Sequence, residues 1–273
     1  MSTPPESERI RLDRDSFGGV TVVVDGTPQS YVQPDDPLLL VFEYVQHFAL
    51  VADALPPGPL AVTHVGGAGL TFPRYVEESR PGSTQVVLEP DVELTEVVRR
   101  ELPLPRRHRI RVRPVDGASG MRALADGSAD LVVVDAYAHG RIPAELTTVG
   151  FLTEVRRVLR PDGVLLLNVA DEPRRRFLGR VLATLPSAGY ADRLVLATSE
   201  VLRGRRFGNS VVVASSTPLN VAAIRRGVAR MPFPAGIRHA GELDRFVSGA
   251  RPLTEDDAEP SPAPPDLGAW NLR

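Results

Sequence analysis

From residue 60 to residue 215 the chain alternates short apolar runs with stretches of helical spacing. Few folds accommodate that rhythm. A strand followed by a helix and then a parallel strand crosses over right-handedly, and repetition of the unit leaves helices on both faces of one sheet. Strands are expected at 60–65, 84–89, 109–114, 130–135, 163–169, 191–197 and 209–215. The expected fold class is therefore α/β, a doubly wound, mostly parallel seven-stranded sheet. Such sheets bind ligands outside the carboxyl ends of their strands, so the residues at those ends matter most.

The first strand end is the turn in "LAVTHVGGAGLTFPRYVEE", residues 60–78. A dinucleotide fingerprint G-x-G-x-x-G beginning at Gly67 and Gly69 would need a third glycine at position 72, where Phe72 stands. A pyrophosphate ligand therefore loses support. The next three strand ends are polar: Glu89 in "VVLEPD", Asp116 in "VRPVDGASG" and Asp135 in "LVVVDAYAHG". Each has a plain structural reading beside the functional one. Glu89 suits the first turn of a helix, and Asp116 suits an N-cap before "GASGMRAL". Asp135 ends the most apolar strand with no regular helix directly after it, which favours a site there. His64 lies within an apolar strand and reads as a packed core residue, while His139 reads as a solvated loop histidine. The arginine runs "EPRRRFLGR" and "LRGRRFG" read as solvated faces.

Outside the alternation, "GGVTVVVDGTPQSYVQ" gives two strands about the turn Asp25-Gly26-Thr27-Pro28, a small β-hairpin. A helix is expected after Asp36 as N-cap, with Pro37 as its first residue. Three regions follow: a hairpin and leading helix over 1–56, a nucleoside-binding sheet domain over 57–235, and an extension over 236–273. The tail "RPLTEDDAEPSPAPPDLGAWNLR" is rich in proline and acid, so it is expected to be largely disordered, above all at its end, with Trp270 suited to dock it. No apolar stretch reaches membrane-span length and the amino terminus is charged, so a cytoplasmic location is expected. The 273 residues contain no cysteine and five scattered histidines, which disfavours disulfides and metal sites. A net charge of −2 gives no pull toward nucleic acid, although all 32 basic residues are arginine.

The hairpin "VVVDGTPQSYVQPDD", the turn "HVGGAGLTFPRYV" and the blocks "VVLEPD", "VRPVDGASGMRAL" and "ADLVVVDAYAHGRIPAELTT" together resemble the spermidine synthase-like polyamine aminopropyltransferases. The resemblance runs from about Gly19 to about Ser215. It implies a Rossmann-like domain of the methyltransferase type behind a small β-domain, and transfer of an aminopropyl group from decarboxylated S-adenosylmethionine to an amine. It also implies roles. Gln29 positions the nucleoside, Gly66, Gly67 and Gly69 admit the ligand, Glu89 holds the ribose, and Asp116 with Gly117 and Ala118 meets the adenine. Asp135 is the catalytic acid residue that handles the amine proton, and a homodimer is the default assembly.

Two departures bear on the substrate. The family's usual G-G-G-D-G turn has Ala68 in place of its aspartate, and the second aspartate of D-x-x-D-P is replaced by Ala138. Glu43 and Tyr44 stand only loosely where the family has a tyrosine-histidine-glutamate cluster. An acceptor amine that behaves like lysine has a pKa near ~10.4, so an acidic group must hold and then deprotonate it. Each lost ion pair forfeits up to roughly 4 kcal/mol at an effective dielectric of 20, which argues against an ordinary diamine such as putrescine. Three readings stand: an aminopropyltransferase with another small-molecule amine, a methyltransferase using intact S-adenosylmethionine, and a nucleoside-binding protein without catalysis.

Overall fold

The computed structural model describes residues 9–265. The chain opens with three antiparallel strands, β1 (Ile10–Arg14), β2 (Val20–Val24) and β3 (Thr27–Val32), in the order β1-β2-β3. The hairpin about Asp25 and Gly26 is present, and β1 adds a third strand from the segment that composition alone marked as charged leader. Ile10 supplies the reason: it is buried between the small sheet and its neighbours, while its polar neighbours face out.

The main body runs α1 (Glu43–Ala54), β4 (Ala61–Val65), α2 (Thr71–Ser79), β5 (Thr84–Leu88), α3 (Val92–Glu101), β6 (Ile110–Arg113), α4 (Gly117–Arg122) and β7 (Ala129–Val134). It continues α5 (Val149–Val158), β8 (Leu159–Asp171), α6 (Arg176–Ser187), β9 (Asp192–Thr198), α7 (Ser199–Leu202), β10 (Gly208–Ser215), α8 (Val221–Val228), β11 (Ala235–His239) and α9 (Gly241–Phe246). The expected helix start at Asp36 is corrected. Asp36 closes a local turn by accepting from Leu38 N at 3.2 Å, and α1 begins only at Glu43. Gln46 then reaches back to Leu40 O at 2.8 Å and fixes the approach.

The sheet has eight strands in the order β11-β9-β10-β8-β7-β4-β5-β6. All seven expected strands are in it, and β11 is an addition at the edge. From β6 to β8 the pairing is parallel, whereas β10 runs antiparallel between β8 and β9. The link from β9 to β10 is too short for a parallel crossover, which needs a dozen or more residues, so the strand must turn back. One face of the sheet packs Phe151 and Leu152 of α5 and Phe177, Val181 and Leu182 of α6 against Leu165, Leu167 and Val134. The other packs Phe48 of α1, Phe72 of α2 and Ile224 of α8 against Val133, Leu166 and Val211. The small sheet closes on α3 through Val20, Val22, Leu94 and Val98.

The expectation of a disordered tail is corrected over residues 251–265. Leu253 and Ser261 are fully buried, Val149 N donates to Leu253 O at 2.8 Å, and Ile142 N donates to Ser261 Oγ at 2.9 Å. Glu255 accepts from Gly150 N at 2.7 Å at the start of α5, and Arg180 binds Asp257 and Glu259. Prolines lack an N–H to satisfy, so this strap needs few partners to lie flat on the domain. Trp270 lies outside the described residues. Among the described residues no helix is long and apolar enough to cross a membrane.

Candidate active site

Side chains along a strand alternate between faces, so parity decides which of them meet. Val133 of β7, Leu166 of β8 and Val211 of β10 face α1. Two residues on from each, in the direction of the rim, stand Asp135, Asn168 and Asn209, on the same face and at the same end of the sheet. For β10 that direction is backward along the chain, because the strand is antiparallel. Asn168 Nδ2 donates to Asp135 Oδ1 at 2.9 Å, and Asn209 Nδ2 donates to Asn168 Oδ1 at 2.9 Å.

The glycine turn lies beside Asp135. Gly66 has φ +92°, and a Cβ there would stand 2.2 Å from the Asp135 carbonyl oxygen, so only glycine lets β4 and β7 part at this point. Ala68 and Leu70 also have positive φ, +38° and +61°, which is uncommon for non-glycine residues and marks a wound turn. The winding turns the N–H groups of Gly67 and Ala68 onto Glu89 Oε2, at 2.8 and 3.3 Å. Glu89 Oε1 accepts from Asp91 N at 3.0 Å. Gly69 N donates to Ser30 Oγ at 2.8 Å, which ties the small sheet to the turn.

Asp135 sits in a different setting. Burial raises its carboxyl pKa to about 6, against the pull of hydrogen bonds from Asn168 and Tyr44. The same burial, with the charge of Asp135, holds the Tyr44 and Tyr137 hydroxyls well above their ordinary range. Tyr137 Oη donates to Asn168 O at 3.2 Å and accepts from Ala170 N at 3.1 Å, so its ring is fixed. A narrow cavity of about 70 Å³ opens between Gln29, Tyr44, His64, Gly66, Asp135 and Tyr137. His64 is buried and bonded to Gln85 Oε1 at 2.9 Å, and burial lowers its pKa to about 4, so it is a neutral core residue that also forms wall.

The residues expected at the site share one rim but divide over two flanks of the glycine turn. Gln29, Gly66, Gly67 and Asp135 line the cavity together with Ala68. Glu89, Gly69, Asp116, Gly117 and Ala118 stand outside its wall. Asp116 caps α4, accepting from Ser119 N at 2.8 Å, and the capping N–H groups lower its carboxyl pKa. Gly117 packs against the end of β4, where a Cβ would stand 2.3 Å from Val65 Cγ1. Asn168, Asn209 and Tyr137 were not anticipated from the sequence, and Tyr44 was placed only loosely. His139 lies exposed on the loop after Asp135, with φ +50°. Among the described residues no group of three or more potential ligands could hold a metal ion.

The reversal of strand order at β4 and β7, the antiparallel strand inserted between β8 and β9 and the polar rim define a Rossmann-like domain of the methyltransferase type. No family model matches the chain. A polyamine aminopropyltransferase of Chromobacterium violaceum is 28% identical over 184 residues, covering 63% of this chain and 69% of that protein. A probable spermidine synthase of Corynebacterium glutamicum superposes with a TM-score of 0.83 at 29% identity, covering 90% of this chain and 92% of that one. Two further structures share the fold. One is a spermidine synthase in complex with the transition state analogue AdoDATO, with a TM-score of 0.61 and 18% identity over 90% of this chain and 83% of that one. The other is human methyltransferase-like protein 13 in complex with SAH, with a TM-score of 0.55 and 22% identity over 79% of this chain and 96% of that one. The chain is spermidine synthase-like, with the polyamine aminopropyltransferases as its relatives.

Proposed function

We propose that this chain is an aminopropyltransferase that moves the aminopropyl group of decarboxylated S-adenosylmethionine to a small-molecule amine. The observation that carries the reading is the placement of Asp135: a half-buried carboxylate in a cavity beside the glycine turn, ionised at neutral pH yet basic enough to take a proton. Glu89, Asp116, Gly117 and Ala118 on the other flank are proposed to hold the nucleoside, with Gln29 bridging the two. In the reaction the amine nitrogen attacks the carbon beside the sulfonium. The carbon–sulfur bond breaks with its electron pair going to sulfur, methylthioadenosine leaves, and the amine proton passes to Asp135. Relatives named as aminopropyltransferases support the reading, and the ligands named with two fold neighbours, AdoDATO and SAH, support a sulfonium nucleoside or its analogue as the ligand class. The protein is further proposed to work in the cytoplasm as a homodimer, without a metal.

Ala68 favours a second reading. A turn without a carboxylate suits intact S-adenosylmethionine, whose own carboxylate offsets its ammonium, and the reaction would then be methyl transfer. The experiment is to incubate the purified protein with each sulfonium and a panel of primary amines and to identify the nucleoside product by mass spectrometry. Methylthioadenosine is the expected product. S-Adenosylhomocysteine in its place would replace the first reading by the second, and no product from either donor would remove both.

A further inference from the structure

We propose that Asn209 is a positioning residue: its side chain fixes the direction of the Asn168 amide, so that a donor and not an acceptor meets Asp135. From the proposed function this takes only the role of Asp135 as proton acceptor. A carboxamide has two ends of nearly the same shape and opposite hydrogen-bonding sense. Facing an ionised carboxylate only the NH₂ end is tolerable, because the reversed amide would set its oxygen against another acceptor. Asn168 gives Nδ2 to Asp135 and keeps Oδ1 for Asn209 Nδ2, each at 2.9 Å, so Asn209 supplies the donor that the outer end requires.

The fold puts Asn209 there for a specific reason. Val211 is the register partner of Asn168, and Asn209 lies two residues away on the same face, diagonal to it. Only because β10 runs antiparallel does its first turn of sequence reach the rim where β8 ends. The groups facing Asp135 are Tyr44 from α1, Tyr137 from its own loop, Asn168 from β8 and His64 across the cavity from β4. Beyond Asn209 the Arg206–Glu43 ion pair, at 3.1 Å, joins the β10 approach to α1. His64 is neutral above about pH 5 and both tyrosines stay protonated through the neutral range, so none of these neighbours changes charge while Asp135 titrates near 6.

The test is a ¹³C NMR titration of the Asp135 carboxyl, assigned by its disappearance in Asp135→Asn, which needs neither ligand nor turnover. In Asn209→Leu the amide loses its outer anchor, and the Asp135 midpoint should rise by about half to one pH unit. In Asn209→Asp the outer partner becomes an acceptor, and the Asn168 NH₂ protons should turn from Asp135 toward residue 209 in nuclear Overhauser spectra. An unchanged midpoint in the first variant, or unmoved NH₂ contacts in the second, overturns the proposal. Should both variants unfold, the unaltered protein can still overturn the proposal: its Asn168 NH₂ protons must contact Asp135, and contacts to Asn209 instead would sink the idea. Absence of any turnover in the unaltered protein would remove the proposed function while leaving the titration result as it stands.

Discussion

Asp116 follows β6 and Asp135 follows β7 at one rim of the sheet, with β5 and β4 between them, and the two are opposite kinds of carboxylate. Asp116 is exposed and receives backbone N–H groups at the start of α4, which favours its charge and lowers its pKa. Asp135 is withdrawn from water among two tyrosines and an amide, which disfavours its charge and raises its pKa to about 6. Position along a strand is shared, and environment separates the roles. A permanently ionised carboxylate can accept hydrogen bonds from a nucleoside. A carboxylate poised near neutrality can exchange a proton with an amine.

The two should part most widely under the same substitution. Asp135→Asn is expected to lower turnover by about 10³-fold, the range of a lost general base, with the fold retained. Asp116→Asn keeps a good N-cap and should change stability by only a few tenths of a kcal/mol, with activity falling far less. Initial rates of methylthioadenosine release and thermal melts of both variants check this, and equal losses would undo the distinction. The turn between them is the next target. Gly66→Ala forces a Cβ to within 2.2 Å of the Asp135 carbonyl at φ +92°, so a loss of about 2–4 kcal/mol in denaturant unfolding is expected. A loss under about 0.5 kcal/mol would mean that β4 and β7 part without glycine there.

The contrast also has a pH dependence. A carboxyl raised from 3.8 to about 6 on folding binds more protons in the native state between those values, so its contribution to stability is full below pH 3.8 and lost as pH rises through 6. Asp135 thus costs up to about 3 kcal/mol at pH 7. Asp135→Asn should melt higher than the unaltered protein at pH 7.5, and that advantage should vanish by pH 4. A variant that melts lower at pH 7.5 would show that the carboxylate is better solvated than its surroundings indicate.

Much of this was legible in the residues themselves. The apolar runs gave strand ends to within about two residues, except at the start of β8, which begins at Leu159 and not at 163, because each buried strand leaves a continuous hydrophobic record. Glu89, Asp116 and Asp135 were found as polar ends of those runs. Asn168 and Asn209 were not, since each lies inside or at the start of a strand, and only the strand order brings them together across a separation of 41 positions. Their parity is readable from the sequence, and so, from the short β9–β10 link, is the reversal of β10; its insertion beside β8 is not. The strap was misjudged because its proline and acid content masks two buried anchors, Leu253 and Ser261, whose fit depends on grooves formed by distant segments. Helix α1 begins late because the Asp36 carboxylate and carbonyl accept from Leu38 N and Leu39 N in a closed local turn, which the chain leaves before Glu43.

Biosynthesis delivers this chain amino terminus first, and that ordering treats the two flanks unequally. The glycine turn, Glu89 and the cap at Asp116 are complete once about half of the polypeptide has emerged. Asp135 emerges soon after them, but its amide support arrives with residues 168 and 209, and the clasp on its loop only with residue 261. A polypeptide arrested short of Asn209 would thus carry the completed Glu89 and Asp116 flank beside an Asp135 whose amide neighbour lacks its outer partner.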